Sequence, residues 1–361
     1  MIEVSLYPYV YLVIVLLLTL ISEKKHYHTI GDIGQGEGGT GNMTFGIMLL
    51  IMLFFGLRPV SRFFADMAVY NASYQQNYGS QYTFNWSLDN FLFDNLLYWM
   101  ASLMFDVRLF FLLIAIIYVG GIAWASKKMF PKNTLLAFVM YLGAFSTFSY
   151  GVNGIKAGAA ASIFLVALSY KDNLKVCIPL LWVTLGFHHS MLAPITAFVI
   201  AYFFRKPKWY LYGWLFCLLL AATHITYFQT LFSGFTDEHG AGYLTTDGQD
   251  KMVTGFRLDF ILYSAMPIFI GYYLIVKHKI TSDYYNFLWC VYTLTNSVFL
   301  LCTYGDYINR IAYLSWLVYP FILLYPFVNA YWSKQQHRYL LYVVYGHFCF
   351  TLFMTVIFFY R

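Results

Sequence analysis

Two histidines stand side by side in GFHHSML, with Ser190 after them. A histidine at such a place can take a proton as general base or donate to a phosphate. Ser190 suits the N-cap of a following helix, which puts His188 and His189 at the edge of the apolar run before it. The plainer role is an imidazole bonded to backbone at that edge; with a pair, at least one is read as functional. Neighbours on a helix point about 100° apart, and no cysteine or carboxylate stands at ligand spacing, so no metal site is read here.

Four further stretches carry chemistry. In FFGLRPVSRFFADMAVY, Arg58, Arg62 and Asp66 recur every four residues, and Tyr70, Tyr74 and Tyr78 continue the spacing, so a helix would put them on one face. Paired guanidiniums suit a phosphate or pyrophosphate; an Arg–Asp ion pair among belt tyrosines is the alternative. In SYGVNGIKAGAAAS, Lys156 opens a helix of Gly, Ala and Ser. That is either an anion seat at a helix N-terminus or a small-residue helix contact with a snorkelling lysine. GFRLDF places Arg257 and Asp259 at the entry to an apolar run, and YGDYINRIAY places Asp306 and Arg310 four apart at another. Charges at such entries mark a substrate path or, more blandly, pair with each other.

The elements that must position these residues are apolar. The chain is 60% hydrophobic and 11% charged, with a mean hydropathy of +0.62. These are values of an integral membrane protein, and the runs lack the two-residue alternation of a β-barrel. The fold class expected is all-α: a polytopic protein of about twelve transmembrane helices in one membrane domain, 1–361. Spans are placed near 5–22, 43–57, 107–126, 134–150, 156–171, 174–188, 190–204, 209–227, 257–276, 284–303, 311–332 and 339–360. The first has Lys24 and Lys25 after it and no positive residue before it, the reverse of a signal peptide, and is read as a retained span.

Alternating the loops puts Lys24, Lys25, Lys127, Lys128, Lys132, Lys171, Lys175, Arg205, Lys206, Lys208, Lys277, Lys279, Lys334 and Arg338 on one side, most of the 22 Lys and Arg. That side is cytoplasmic by the positive-inside rule. Scattered loop cations explain the net charge of +6 by topology and give no nucleic-acid patch. Both termini then face outward, as do two long extracytoplasmic segments, 58–106 and 228–256. FLFDNLLYWMASLMF in the first reads as an amphipathic or re-entrant helix against the membrane. The glycine-rich 31–42 lacks a following GK[ST] and a preceding strand, and reads as a linker rather than a phosphate loop. Cys177, Cys217, Cys290, Cys302 and Cys349 lie inside spans without paired spacing and read as small buried hydrophobes.

This topology collects Arg58, Lys156, Arg257, Arg310, Asp66, Asp259, Asp306, Tyr70, His188 and His189 on the outer face. Cations for a pyrophosphate, aromatics for sugar rings and a base for a hydroxyl suit a lipid carrier bearing sugars. In their order, FFGLR with the following Asp and Tyr, NGIKAGAAAS, HHS, GFRLDF and the late D-x-x-x-R resemble the EpsG-like branch of the Wzy-type polysaccharide polymerases. These are proteins of the bacterial inner membrane that build capsule, exopolysaccharide or O-antigen. The resemblance covers about residues 7–340.

It implies glycosyl transfer on the outer face, from a chain on undecaprenyl pyrophosphate to the next lipid-linked repeat unit, with no cofactor. Its partners are then the lipid-linked oligosaccharide, the bilayer, and a flippase and chain-length regulator. Arg58, Lys156, Arg257 and Arg310 would hold the pyrophosphate, and His189 or Asp66 would take the acceptor proton. Lys156 stands where the family pattern has Arg, which keeps the charge and loses bidentate geometry. An O-antigen ligase shares the donor and differs in acceptor. A transporter would carry midplane charges and repeated halves, which this chain lacks. A membrane acyltransferase would need its histidine on the inner side.

Overall fold

A computed structural model describes residues 3–29, 41–236, 238–245, 254–278 and 280–358. Residues 31–40 of the glycine-rich linker, together with Lys251, Lys279 and Arg361, lie outside them. Among the described residues every regular element is a helix. The α-helices are α1 Tyr7–Thr29, α2 Gly41–Gly56, α3 Ala65–Gln76, α4 Phe91–Ser102, α5 Val107–Met129, α6 Thr134–Leu142, α7 Phe145–Val152, α8 Ile155–Ser169 and α9 Leu174–Phe187. They continue as α10 Leu192–Phe203, α11 Pro207–Ala222, α12 Tyr227–Ser233, α13 Glu238–Thr245, α14 Leu258–Val276, α15 Asp283–Leu301, α16 Ile308–Trp316, α17 Tyr319–Val328 and α18 Gln336–Phe358.

Among the described residues four helical stretches are long and apolar enough to cross a membrane, Val4–Lys25, Val107–Met129, Leu258–Val276 and Ile308–Val328. The number rises to six if two bent pairs each count as one span, against about twelve expected. The shortfall has physical causes. Several runs fold as shorter apolar helices, among them α2, α8 and α9. The run at 134–150 breaks at Gly143 with a 73° bend, and the run at 209–227 turns by 116° before α12. The run at 284–303 becomes α15, whose Thr293, Thr295, Asn296 and Ser297 dilute its apolarity and are all buried. Such a helix faces protein on most sides rather than lipid.

Two compact units make up the chain, Met1–Phe187 with His337–Arg361, and His188–Gln336. In the first, α5 packs on α8 and α2, α8 on α9 and α7, and α4 on α9. Asp106 caps α5 by accepting from the Arg108 N–H at 2.8 Å, and Lys127 and Lys128 complement its C-terminal dipole. The small residues of α8 are a packing face. A Cβ on Gly121 of α5 would stand 2.8 Å from Ser162, and one on Gly158 would stand 2.8 Å from the Tyr150 carbonyl.

The break between α6 and α7 strands carbonyls that side chains then satisfy. His347 Nε2 lies 3.2 Å from Met140 O, Thr147 donates to Tyr141 O at 2.7 Å, Tyr11 to Leu142 O at 2.7 Å and Thr351 to Gly143 O at 2.7 Å. In an apolar setting an unpaired carbonyl is costly, so four donors make a bent helix tenable there.

In the second unit α15 is central, packed by α10, α11 and α16. Polar side chains link the elements: Trp214 donates to Asn296 at 2.8 Å, Asn296 to Ser315 at 3.0 Å, and Trp316 to Ser264 at 2.8 Å. Cys177, Cys290 and Cys302 are buried and free, but Cys217 is half-buried and Cys349 exposed, so burial holds for three of the five.

Candidate functional site

The turn Cys302–Tyr307, between α15 and α16, is where the second unit gathers polar groups. Facing it is the segment that leads into α14: Gly255 N–H donates to Thr303 O at 3.0 Å, Thr303 returns a bond to Gly255 O at 3.2 Å, and Thr254 donates to Tyr304 O at 3.0 Å. These bonds tie the segment that leads to Arg257 and Asp259 to the turn that carries Asp306. Arg257 is the N-cap residue of α14 and Asp259 lies in its first turn. The two form a bidentate pair, Nε to Oδ1 at 2.9 Å and Nη2 to Oδ2 at 2.5 Å, with the guanidinium over Phe260 at 4.5 Å. Asp259 thus takes two of the guanidinium's five N–H donors and fixes its plane.

From the other side, α13 docks on the turn. Tyr243 O accepts from Asp306 N–H at 2.8 Å, and a Cβ on Gly305 would meet Leu244 at 2.8 Å and Tyr243 O at 3.2 Å. Tyr307 has φ +50°, a left-handed residue that reverses the chain just before α16 begins. Asp306 therefore stands outside α16 and Arg310 inside it, so their four-residue spacing is not that of one helix face. Asp306 is 3% exposed. Arg310 is exposed, with its guanidinium 5.5 Å from the Tyr243 ring and 5.3 Å from the Tyr307 ring.

The histidine pair belongs to the same unit. His188 is the extended N-cap of a 3-10 turn, His189–Met191, and both histidines are half-buried. Ser190 does not cap α10, as its sequence position suggested: it lies inside the 3-10 turn, and Met191 precedes the helix without a side-chain cap. The turn intervenes because the chain must swing from His188, at φ −154°, into α10. Ser190, Leu244 and Ile311 line one small, mostly apolar cavity with room for about one water. These three are chain neighbours of His189, Tyr243 and Arg310. Tyr243 and Arg310 meet each other at 5.5 Å, and the segments that carry them and the histidine pair converge on that cavity.

The first unit holds the remaining candidates. Residues 57–64 are not helical, so Arg58 and Arg62 do not share a helix face with Asp66, because Pro59 interrupts the ladder that the spacing required. Asp66, Tyr70 and Tyr74 do follow one another along α3, whereas Tyr78 lies past its end. Tyr70 packs its ring on Phe93 at 5.4 Å, and Asp66 sits in the first turn of α3.

Arg58 is 1% exposed. Its guanidinium donates to Phe55 O and, at 2.8 Å, to Val152 O, the ends of α2 and α7. It lies 5.5 Å from the Phe64 ring and 5.4 Å from the Phe111 ring. Burial lowers its pKa to about 10, with Tyr7 pulling the other way, so it stays a cation at neutral pH. A cation at two helix C-termini is well placed electrostatically. Lys156 is half-buried in the first turn of α8, as its position in the sequence implied.

A family model, EpsG family, matches residues 42–361, nearly the whole chain. The chain belongs to the EpsG family. Membership points to a polymerase-like role in polysaccharide biosynthesis, in keeping with the apolar helices of a membrane protein. No curated protein and no solved structure matches the chain.

In this EpsG-family chain, several residues that build the site carry no motif. Tyr243 sits in a segment that reads as a polar loop. Gln229 of α12 is buried against the turn, its amide oxygen taking Tyr304 N–H at 3.1 Å once the amide is oriented to suit its partners. The Tyr304 ring lies 3.8 Å from that of His224, tilted by 33°, and its hydroxyl donates to Ala221 O at 2.9 Å. A lone histidine after an apolar run, His224, was the one available signal. In the first unit, Asn95 organises the loop before α4, accepting from Asn85 N–H and donating to Asn85 O, both at 2.8 Å.

Proposed function

We propose that this EpsG-family protein joins oligosaccharide repeat units carried on a lipid pyrophosphate, undecaprenyl pyrophosphate being the carrier, on the outer face of the bacterial inner membrane. In the step, the bond from the sugar's anomeric carbon to the pyrophosphate oxygen breaks. A bond from that carbon to a hydroxyl oxygen of the acceptor repeat unit forms. The acceptor proton passes to a base, and the lipid pyrophosphate leaves with the electron pair. The energy is already in the donor, so the protein has to bind, orient and neutralise charge.

Arg310 and Arg257 supply the cations for the pyrophosphate. Asp259 holds the plane of Arg257, and His189 takes the proton. Lys156 offers a further cation in the first unit, and Asp66 a second candidate base. A flippase that delivers the repeat units and a regulator of chain length are the protein partners this reaction calls for. The observation that supports the reading is the convergence, on the cavity beside the Cys302–Tyr307 turn, of the segments that carry His189, Tyr243 and Arg310. Family membership supports the polymer-building class.

The test is Arg257→Ala in cells that make the polymer, read on a gel of saccharide chain lengths. The expected outcome is protein retained in the membrane, no long chains and accumulation of single repeat units. Chains of normal length in that variant would sink the reading.

A further inference from the structure

We infer that His224 is a saccharide-binding residue of this site, its imidazole edge kept for a hydroxyl of the acceptor repeat unit. The inference rests on the glycosyl-transfer reading above and names a contact to the acceptor that the reading lacks. His224 follows the last turn of α11, where the chain bends by 116° before α12. Its φ is +61°. Its N–H donates to Ala221 O at 3.2 Å and that of Ile225 to Leu220 O at 3.4 Å, the bonds of a helix that ends on a left-handed residue. Glycine or asparagine fills that position at least cost, and a histidine there carries backbone strain. Strain retained at an exposed residue points to a use for its side chain.

That side chain is held in place. Its ring lies 3.8 Å from the ring of Tyr304. Tyr304 is itself fixed at three points: its hydroxyl donates to Ala221 O at 2.9 Å, its carbonyl accepts from Thr254 at 3.0 Å, and its N–H donates to the Gln229 amide oxygen at 3.1 Å. The imidazole is thus set against the Cys302–Tyr307 turn, and among the described residues no hydrogen bond reaches either of its nitrogens. An imidazole edge donates at one nitrogen and accepts at the other, which matches a sugar hydroxyl. Charge argues against an anion here. From Trp209 to Asp250 the chain has no lysine or arginine, while Asp237, Glu238, Asp247 and Asp250 stand in the same stretch. The ring of Tyr227, three residues beyond His224, is 73% exposed. Open ring faces beside an uncharged hydrogen-bonding edge suit a ligand with an apolar C–H face and a rim of hydroxyls. The ligand class is a neutral sugar unit, and the site's arginines come from other segments, at the starts of α14 and α16.

The experiment follows chain elongation by the full chain in detergent, with lipid-linked repeat units extracted from cells that lack it as substrate. His224→Gly relieves the left-handed strain, so it should melt at or above the native midpoint. Its KM should rise about tenfold, the size of one lost hydrogen bond, with kcat close to native. His224→Asn is also at ease at this φ, but its amide stops short of where the imidazole edge stands, so its KM should rise as well. It decides the matter if the glycine variant melts early. A native KM in a stably folded variant overturns the inference. A histidine that only props Tyr304 would lower the midpoint or kcat and leave KM alone, which overturns it too. If the native chain elongates and the variants keep its KM, only the role of His224 falls; if the native chain joins no repeat units, the glycosyl-transfer reading falls and takes this inference with it.

Discussion

Arg58 and Arg310 stand at the edges of apolar helices, one just after α2 and one in the first turns of α16, yet the two units use them differently. Arg58 is 1% exposed, donates to two helix-end carbonyls and is flanked by Phe64 and Phe111. Arg310 is exposed and confined by ring faces. The first unit turns Arg58 inward onto two backbone carbonyls, its buried Nε making no hydrogen bond among the described residues, and covers the α6–α7 break with side-chain donors. In the second, segments carrying arginines, acids and a histidine converge beside one turn. A buried cation turned onto backbone carbonyls in an apolar setting is a structural staple, whereas an exposed one stands where an anion can reach it.

The contrast predicts a graded set of outcomes. Arg58→Ala should have the largest effect on stability, on the order of 3 kcal/mol, because it leaves Phe55 O and Val152 O without donors in an apolar setting. Thermal unfolding in detergent reads it, and Arg58→Lys should recover part of the loss. An unchanged midpoint in Arg58→Ala would erase the distinction between the two arginines.

Next comes Gly158→Ala in α8. The new Cβ would stand 2.8 Å from Tyr150 O, a backbone atom that cannot swing aside, and overpacking of this kind costs roughly 1–3 kcal/mol. The same change at Gly305 meets the movable end of Leu244 at 2.8 Å. It should cost less stability and more polymer, if α13 must dock there for Arg310 to work. Thermal midpoints and saccharide ladders of the two variants, side by side, separate these effects. Smallest is Thr351→Val, which removes one of the four donors at the α6–α7 break and should cost about 1 kcal/mol in the same melting assay.

Much of the fold was legible from the sequence. The apolar runs gave helices at nearly the expected places and Lys156 opens α8, whereas the cap read at Ser190 turned out to lie inside a 3-10 turn. The breaks at Gly143 and after Ala222 were not legible. A bent apolar run and a straight one share a composition, and the donors that make the bend tenable come from residues as distant as Tyr11 and Thr351. The fate of Arg58 was hidden for the same reason, since its partner Val152 is far along the chain. GFRLDF and YGDYINRIAY were readable as charge at helix entries. Their meeting through Gly255 and Thr303 was not, and Tyr243 had no pattern to announce it.

The central claim is that the second unit's turn does the chemistry while Arg58 maintains the frame. The most direct measurement pairs the thermal midpoint of Arg310→Ala with the saccharide ladder it produces in cells. The account predicts an unchanged midpoint and a ladder collapsed to single repeat units. A normal ladder, or a midpoint lowered as far as that of Arg58→Ala, would contradict it.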